Sequence, residues 1–319
     1  MDWKRTACLT VLMISAGAKA AESTARFEPP AGKILLIVGQ NVEEIQAYLG
    51  AAQVRPGGFM AYTSTQRMEG LDEPSNQGDG TQYAQKLVND YPDTVLQIGL
   101  YIVDDCDHIA KGERDDAIDR LGDWIQATKR PVFLRIGYEF DGPHNHYPPQ
   151  DYINAYRRLV NRFRDRGIRN VAYVWHSYAS KISQPLDDWY PGDSYVDWVG
   201  ISYFDQPQSQ MLPAIQFAHE HQKPVMIAES SAWRVQTRWP NAWNLWFAPY
   251  FKFIDANNIK AVSYIGSDWD SLNQFSGQKW GDTRLQSNPE ILRRWLQETS
   301  QDRYLKSSPD LFRQLGYEK

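Results

Sequence analysis

From Lys33 onward the chain alternates between two hydrophobic rhythms. Short runs rich in Val, Ile, Tyr and Phe, bounded by Gly, Pro, Asn or Asp, read as strands, while the stretches between them carry apolar residues three and four apart and read as amphipathic helices. The strand runs occur in the order "KILLIVGQ" (33–40), "GGFMAYTS" (57–64), "TVLQIGLYI" (94–102), "PVFLRIGYEF" (131–140), "NVAYVWHSY" (170–178), "VDWVGISYF" (196–204), "PVMIAESS" (224–231) and "KAVSYIGSDW" (260–269). Among the helical stretches are "RDDAIDRLGDWIQAT" and "PQDYINAYRRLVNRFRDRG"; in the latter Tyr152, Tyr156, Leu159, Val160 and Phe163 fall on one face and Gly167 marks the C-cap. Repeated βα units call for a parallel sheet, and eight of them call for closure into an α/β fold of the single (β/α)8 TIM-barrel type. No internal repeat or low-complexity linker interrupts the count, so one domain is expected over 33–300. An N-terminal linker (21–32) precedes it, and the tail "QDRYLKSSPDLFRQLGYEK" (301–319) is expected to be an appended helix packed on the outside.

The 319 residues are 42% hydrophobic, enough for a large core without cross-links. A net charge of −5 and a pI near 5.7 argue against nucleic-acid binding, which needs concentrated positive charge. Lys4 and Arg5, the apolar run after them and Ala18-Lys19-Ala20 have the layout of a secretory signal peptide over residues 1–20. The run is well short of the roughly 20 residues that span a bilayer, so no stable membrane insertion is expected after cleavage. The mature chain is expected to be secreted or periplasmic and monomeric, with Cys106 as its one cysteine and hence no internal disulfide.

In barrels of this type the chemistry sits at the C-terminal strand ends. In "LRIGYEFDGPHNHY" simple alternation puts Phe133, Arg135, Gly137 and Glu139 on one face, with a buried Arg135 in need of a partner. In the seventh run the same alternation groups Val225, Ile227, Glu229 and Ser231, so that Glu229 faces the same mouth. Two carboxyl groups flanking one bond are the requirement of glycoside hydrolysis, about 5–5.5 Å apart for the retaining reaction and roughly 6.5–9.5 Å for the inverting one. A guanidinium nearby would keep the attacking carboxylate ionised, and the negative charge of Glu229 would favour the protonated form of Glu139. The competing reading makes both glutamates structural ion-pair partners of Arg135 or of surface lysines.

"RIGYE" resembles the Arg-x-x-His-Glu signature of glycoside hydrolase family 26, the β-mannanase family of the retaining (β/α)8 clan. The resemblance runs through "PQDYINAYRRLVNRFRDRGIRNVAYVW", "WYPGDSYVDWVGISYF" and "KPVMIAESS", residues 130–232. It implies that Glu139, on strand four, is the general acid/base and Glu229, on strand seven, the nucleophile. It further implies that Arg135 is the family arginine, that Tyr203 holds one oxygen of the nucleophile, and that Trp269 is the platform under the sugar at the cleavage point. The chain departs from the pattern at Tyr138, where the family has His, at Ile136, where it often has Pro, and in "DGPHNHY", which replaces a Trp-rich run. These positions flank the acid and shape its subsites.

Other candidates lie near strand ends. Trp175, Trp233 and Trp280 could stack on pyranose faces or simply pack. His176 could bond a sugar hydroxyl or Glu139, and His144 and His146 could line a subsite or tune the acid. Asp205 and Asp268 could accept bonds from sugar hydroxyls. "DDCDH" (104–108) offers ligand-type side chains, but its spacing matches no closed or catalytic metal site, and acidic helix caps account for it. Without a phosphate loop, dinucleotide fingerprint or G-x-S-x-G, neither a nucleotide, NAD nor a serine nucleophile is expected, and no cofactor or metal is called for. The expected activity is a cofactor-free, retaining β-glycosidase acting on a β-mannan-like or related polysaccharide. The alternatives are a polysaccharide-binding barrel without turnover and a hydrolase that trims the cell's own exopolysaccharide.

Overall fold

The computed structural model describes residues 25–181 and 184–318. The expected signal segment and the first residues of the linker lie outside them. Eight parallel strands follow in chain order: β1 (Ile34–Gly39), β2 (Gly58–Ser64), β3 (Val95–Tyr101), β4 (Val132–Ile136), β5 (Val171–Ser177), β6 (Trp198–Tyr203), β7 (Val225–Ser230) and β8 (Ala261–Ile265). Each pairs with the next, and β1 pairs with β8 from Leu35–Ala261 to Gly39–Ile265, which closes the barrel. Every strand matches an expected run to within a few residues, except that β4 stops at Ile136, short of Glu139.

The pleat sorts the core into two clusters. Leu35, Ile37, Met60, Val95, Phe133, Ala172, Val174, Trp198, Met226 and Ala261 point inward and fill the barrel. Their neighbours Leu36, Val38, Leu96, Ile98, Val132, Leu134, Val171, Tyr173, Val199 and Ile201 point outward, against the helices. The helix Pro149–Asp165 shows why such segments form: Pro149 starts it without losing a needed N–H, and Tyr152, Ile153, Tyr156, Leu159, Val160 and Phe163 bury one stripe. Fully burying side chains of this kind contributes on the order of 1.5–3 kcal/mol each.

The tail differs from its expectation. Tyr304–Leu305 form a short strand beside β1, and the helical turn Leu311–Gln314 places Leu311, Phe312 and Leu315 in the barrel's interior cluster, with Phe27 alongside. Phe27 meets Phe133, near the start of β4, with ring centroids 6.0 Å apart, so the tail and linker cover the end of the barrel opposite the mouth. The apolar Leu311, Phe312 and Leu315 are what carry the segment inward. Among the described residues, no helix is long and apolar enough to cross a membrane.

Candidate active site

At the C-terminal strand ends lies a cleft of about 570 Å³ that includes Glu139, Glu229, Tyr62, Tyr138, His144 and Trp269 in its walls. A second, more polar cavity of about 280 Å³ continues it over the β2 and β3 ends, sharing Tyr62, Tyr138, Asp79 and Gln274 and adding Gln66, Arg67, Glu69 and Tyr101. Glu139 and Glu229 therefore do share one cleft, but neither arrives there by the simple alternation the sequence suggests.

Glu229 is turned in by a bulge. In β7 the inward residues are Met226 and Ala228, whereas Val225 and Ile227 face the helices. By strict alternation Glu229 would follow Ile227 outward. The register with β6 instead runs Ile201–Ile227 and then Ser202–Glu229, leaving Ala228 without a counterpart. Two residues opposing one is a β-bulge, which re-aims the side chains that follow it, and here it brings Glu229 onto the interior face. Ser230 then faces outward, bonding Tyr250 Oη at 3.1 Å.

Glu139 comes from a turn. β4 ends at Ile136, and Gly137 (φ 57°) and Glu139 (φ 52°) both take left-handed backbone conformations. A Cβ on Gly137 would stand 2.7 Å from the ring of Tyr152, so glycine is required there for space as well as conformation. Asn145 secures the turn, its Nδ2 donating to the carbonyls of Tyr138 (2.9 Å) and Glu139 (3.1 Å).

Arg135 lies under both groups with no exposed surface. Its Nη1 pairs with Glu229 Oε1, its Nη2 lies 3.1 Å from Met60 Sδ, and its guanidinium carbon sits 4.9 Å and 5.2 Å from the ring centroids of Tyr62 and Tyr138. Burial works against this charge, but Tyr62 and Glu229 outweigh it, and the guanidinium is held protonated. The neighbouring Gly99 makes the arrangement possible, since a Cβ there would meet Tyr62 at 2.5 Å and Arg135 Nη2 at 2.8 Å. Tyr62 Oη donates to Glu229 Oε1 at 2.8 Å. Both donors converge on Oε1, which leaves Oε2 for the cleft. Burial raises the pKa of Glu229 above the ordinary carboxylate value; Arg135 opposes the shift and Glu139 adds to it.

Glu139 has its own partners. Ser202 Oγ donates to Oε1 at 2.5 Å, and His144 Nε2 lies 2.7 Å from Oε2. Burial disfavours a charged His144, yet the contact with Glu139 prevails and raises its pKa above the ordinary imidazole value.

Several expected contacts fall elsewhere. Tyr203 lies on the outward face of β6, packed against Trp246, Tyr250 and Phe253, and its hydroxyl meets Gln208; the tyrosine on Glu229 is Tyr62. Trp175 is outward on β5, fully buried and stacked on Phe140, so it does not reach the cleft. His176 points inward but is wholly buried, with Nε2 3.0 Å from Ser202 Oγ; its link to Glu139 runs through that serine, and no sugar can touch it. Trp233 borders the cleft, but Phe204 (3.7 Å, 5°) and Trp280 (3.9 Å, 11°) cover both of its faces, leaving none for a pyranose. Asp205 is at the rim, paired with Arg234, while Asp268 pairs with Arg284. Trp269 and Tyr138 are both in the cleft wall, with Trp269 Nε1 fixed on Ser231 Oγ at 3.0 Å. His146 is exposed and outside that wall. In "DDCDH", Asp105 pairs with Arg114 and Asp107 with Lys111. The groups that sequence reasoning missed are Tyr62, Ser202 and Asn145; alternation from Met60 and from Gly200 could have found the first two.

Residues 81–239 match the sequence profile of Glycosyl hydrolase family 26. A beta-1,3-xylanase of Alcaligenes sp is 33% identical over 314 residues, covering 89% of this chain and 67% of the xylanase. A second beta-1,3-xylanase, of Vibrio sp, is likewise 33% identical over 314 residues, covering 89% and 68%. Among solved structures, a GH26 beta-mannanase from Bacteroides ovatus superposes with a TM-score of 0.62 at 14% identity, over 88% of this chain and 93% of that one. The catalytic domain of a Bacillus sp. JAMB-750 endo-beta-1,4-mannanase gives 0.60 at 16% identity, over 89% and 90%.

Proposed function

Since the chain belongs to glycosyl hydrolase family 26, we propose that it is an exported, cofactor-free endo-glycanase that cleaves a β-linked polysaccharide with net retention. The observation that carries this reading is that Glu139 and Glu229 line one cleft, with Glu229 Oε1 held by Arg135 and Tyr62 and the Glu139 carboxyl held between Ser202 and His144.

In the first step an oxygen of ionised Glu229 bonds to the anomeric carbon. The bond from that carbon to the leaving oxygen breaks, and the leaving oxygen takes its electron pair and a proton from Glu139. In the second step Glu139, now ionised, takes a proton from water; the water oxygen bonds to the same carbon, and the ester bond returns its electrons to Glu229. Arg135 and Tyr62 stabilise the departing charge on Glu229 Oε1 in both directions. Trp269 offers the platform for the sugar at the cleavage point. The continuation of the cleft over the β2 and β3 ends gives room for further sugars, which favours cutting within the chain.

The names of the curated relatives turn the substrate from β-mannan toward β-1,3-xylan. The departures around Glu139, with Tyr138 and "DGPHNHY" in place of the mannanase pattern, agree with that change. Incubating the protein with β-1,3-xylan, β-1,4-xylan and β-mannan and measuring new reducing ends tests the proposal. Release from β-1,3-xylan by the wild type and none by Glu229→Ala is expected. Tight binding without release from any glycan would instead make the barrel a binding protein.

A further inference from the structure

We infer that Ser202, directed by His176 and Arg135, is a positioning residue that confines the catalytic proton of Glu139 to its Oε2 oxygen; this rests on reading Glu139 as the acid/base. The inference comes from the order of donors along a buried chain of side chains. A guanidinium can only donate, so where Arg135 Nη1 lies 3.4 Å from His176 Nδ1, that nitrogen must accept. The histidine is neutral, because full burial and the charge of Arg135 push its pKa well below the ordinary value, and its proton is therefore on Nε2. Nε2 donates to Ser202 Oγ at 3.0 Å, which obliges the serine hydroxyl to turn its own proton toward Glu139 Oε1 at 2.5 Å. Oε1 is thereby an acceptor and cannot carry the acid proton. That proton is left to Oε2, the oxygen facing His144.

The backbone supports this arrangement. Ser202 is the register partner of Glu229 across β6 and β7, so one residue fixes the acid relative to the strand that carries the nucleophile. His176 faces Gly200 in the register of β5 with β6, where an added Cβ would stand 3.2 Å from its own Cβ. The other titratable groups that act on Glu139 or are acted on by it are Tyr138, Asp141 and His144 from its own loop, Tyr178 just beyond β5 and Glu229 from β7. Among the described residues, the Glu139 carboxyl is hydrogen-bonded to Ser202 Oγ, which donates to Oε1, and to His144 Nε2, which accepts when Oε2 carries the proton and donates when it does not.

The test compares Ser202→Ala and Ser202→Thr in the full chain, using β-1,3-xylan and a 2,4-dinitrophenyl β-xyloside, whose leaving group departs without a proton. A hydroxyl donating to Oε1 favours ionised Glu139. Ser202→Ala should therefore move the upper limb of the kcat/KM–pH profile up by about one pH unit and lower kcat/KM on the polysaccharide about tenfold. The aryl glycoside should suffer much less, and Ser202→Thr, which keeps the hydroxyl, should restore both readouts. An unchanged limb and rate in Ser202→Ala, or equal losses on both substrates in Ala and Thr alike, would overturn the inference. Glu139→Ala with added azide separates this from failure of the underlying reading. Formation of a β-glycosyl azide shows that Glu139 is the acid/base whatever Ser202 does, whereas no azide product and no turnover of the aryl glycoside would remove the premise itself.

Discussion

Tyr62 donates its hydroxyl to Glu229 from across the barrel, 2.8 Å from Oε1, although 167 positions separate the two residues. Burial and the charge of Glu229 push the phenol well above its ordinary pKa, so it keeps the proton it donates. A hydrogen bond to a charged group contributes about 1.5–3 kcal/mol, so Tyr62→Phe should lower kcat/KM about ten- to hundredfold with an unchanged circular dichroism spectrum. A loss under twofold would remove Tyr62 from the account.

The pH profile should be bounded by two perturbed groups. In the proposed reaction Glu229 must be ionised to attack, and its raised pKa places the lower limb above the ordinary carboxylate value. His144 is hydrogen-bonded to Glu139, the proposed acid, and its raised pKa extends the upper limb beyond the ordinary imidazole range. His144→Gln should move that upper limb to lower pH and leave the lower limb in place, as read from kcat/KM between pH 4 and pH 10. This shift is opposite in sign to the one expected for Ser202→Ala.

Arg135→Leu should destabilise the fold as well as abolish turnover. It leaves Glu229 buried without its counter-charge, and breaking such a pair costs about 3–5 kcal/mol. Because Glu229 can instead take up a proton, the loss should shrink as pH falls through its raised pKa. Denaturant unfolding of wild type and variant at two pH values measures this, and a pH-independent difference would contradict it.

Phe312→Ala should act on stability alone. Its side chain belongs to the interior cluster at the far end of the barrel from the cleft, and removing a buried ring of this kind costs about 3 kcal/mol. The unfolding midpoint should fall while kcat on soluble glycan stays within error of wild type.

Much of this was legible in the chain. The eight strand runs gave the barrel because period-two apolar patterns and β-branched residues report burial directly. The two glutamates also stood out, as acids at strand ends are costly to bury without purpose. What alternation could not supply was their aim. Counting by twos places Glu229 with Val225 and Ile227, on the helix side, and only the extra residue at Ala228 turns it inward. The same count, made from Trp198 and Gly200, puts Ser202 inward and Tyr203 outward, so the tyrosine on Glu229 had to come from elsewhere. Glu139 depends on left-handed residues after β4, a backbone feature signalled only by Gly137. The relay through His176 is invisible in sequence because three strands contribute to it. The stack of Phe204, Trp233 and Trp280 shows why a tryptophan near the mouth is not by itself a sugar platform: its faces can already be occupied.

In the proposed reaction Glu229 becomes covalently bonded to the sugar while Glu139 moves the protons. Treating the protein with a 2,4-dinitrophenyl 2-deoxy-2-fluoro-β-xylobioside, which slows breakdown of the ester, and mapping the labelled peptide by mass spectrometry tests it most directly. A single added disaccharide is expected on the peptide carrying Glu229 and none in Glu229→Ala. Label on a different residue, or turnover of β-1,3-xylan to products of inverted anomeric configuration without any adduct, would contradict it.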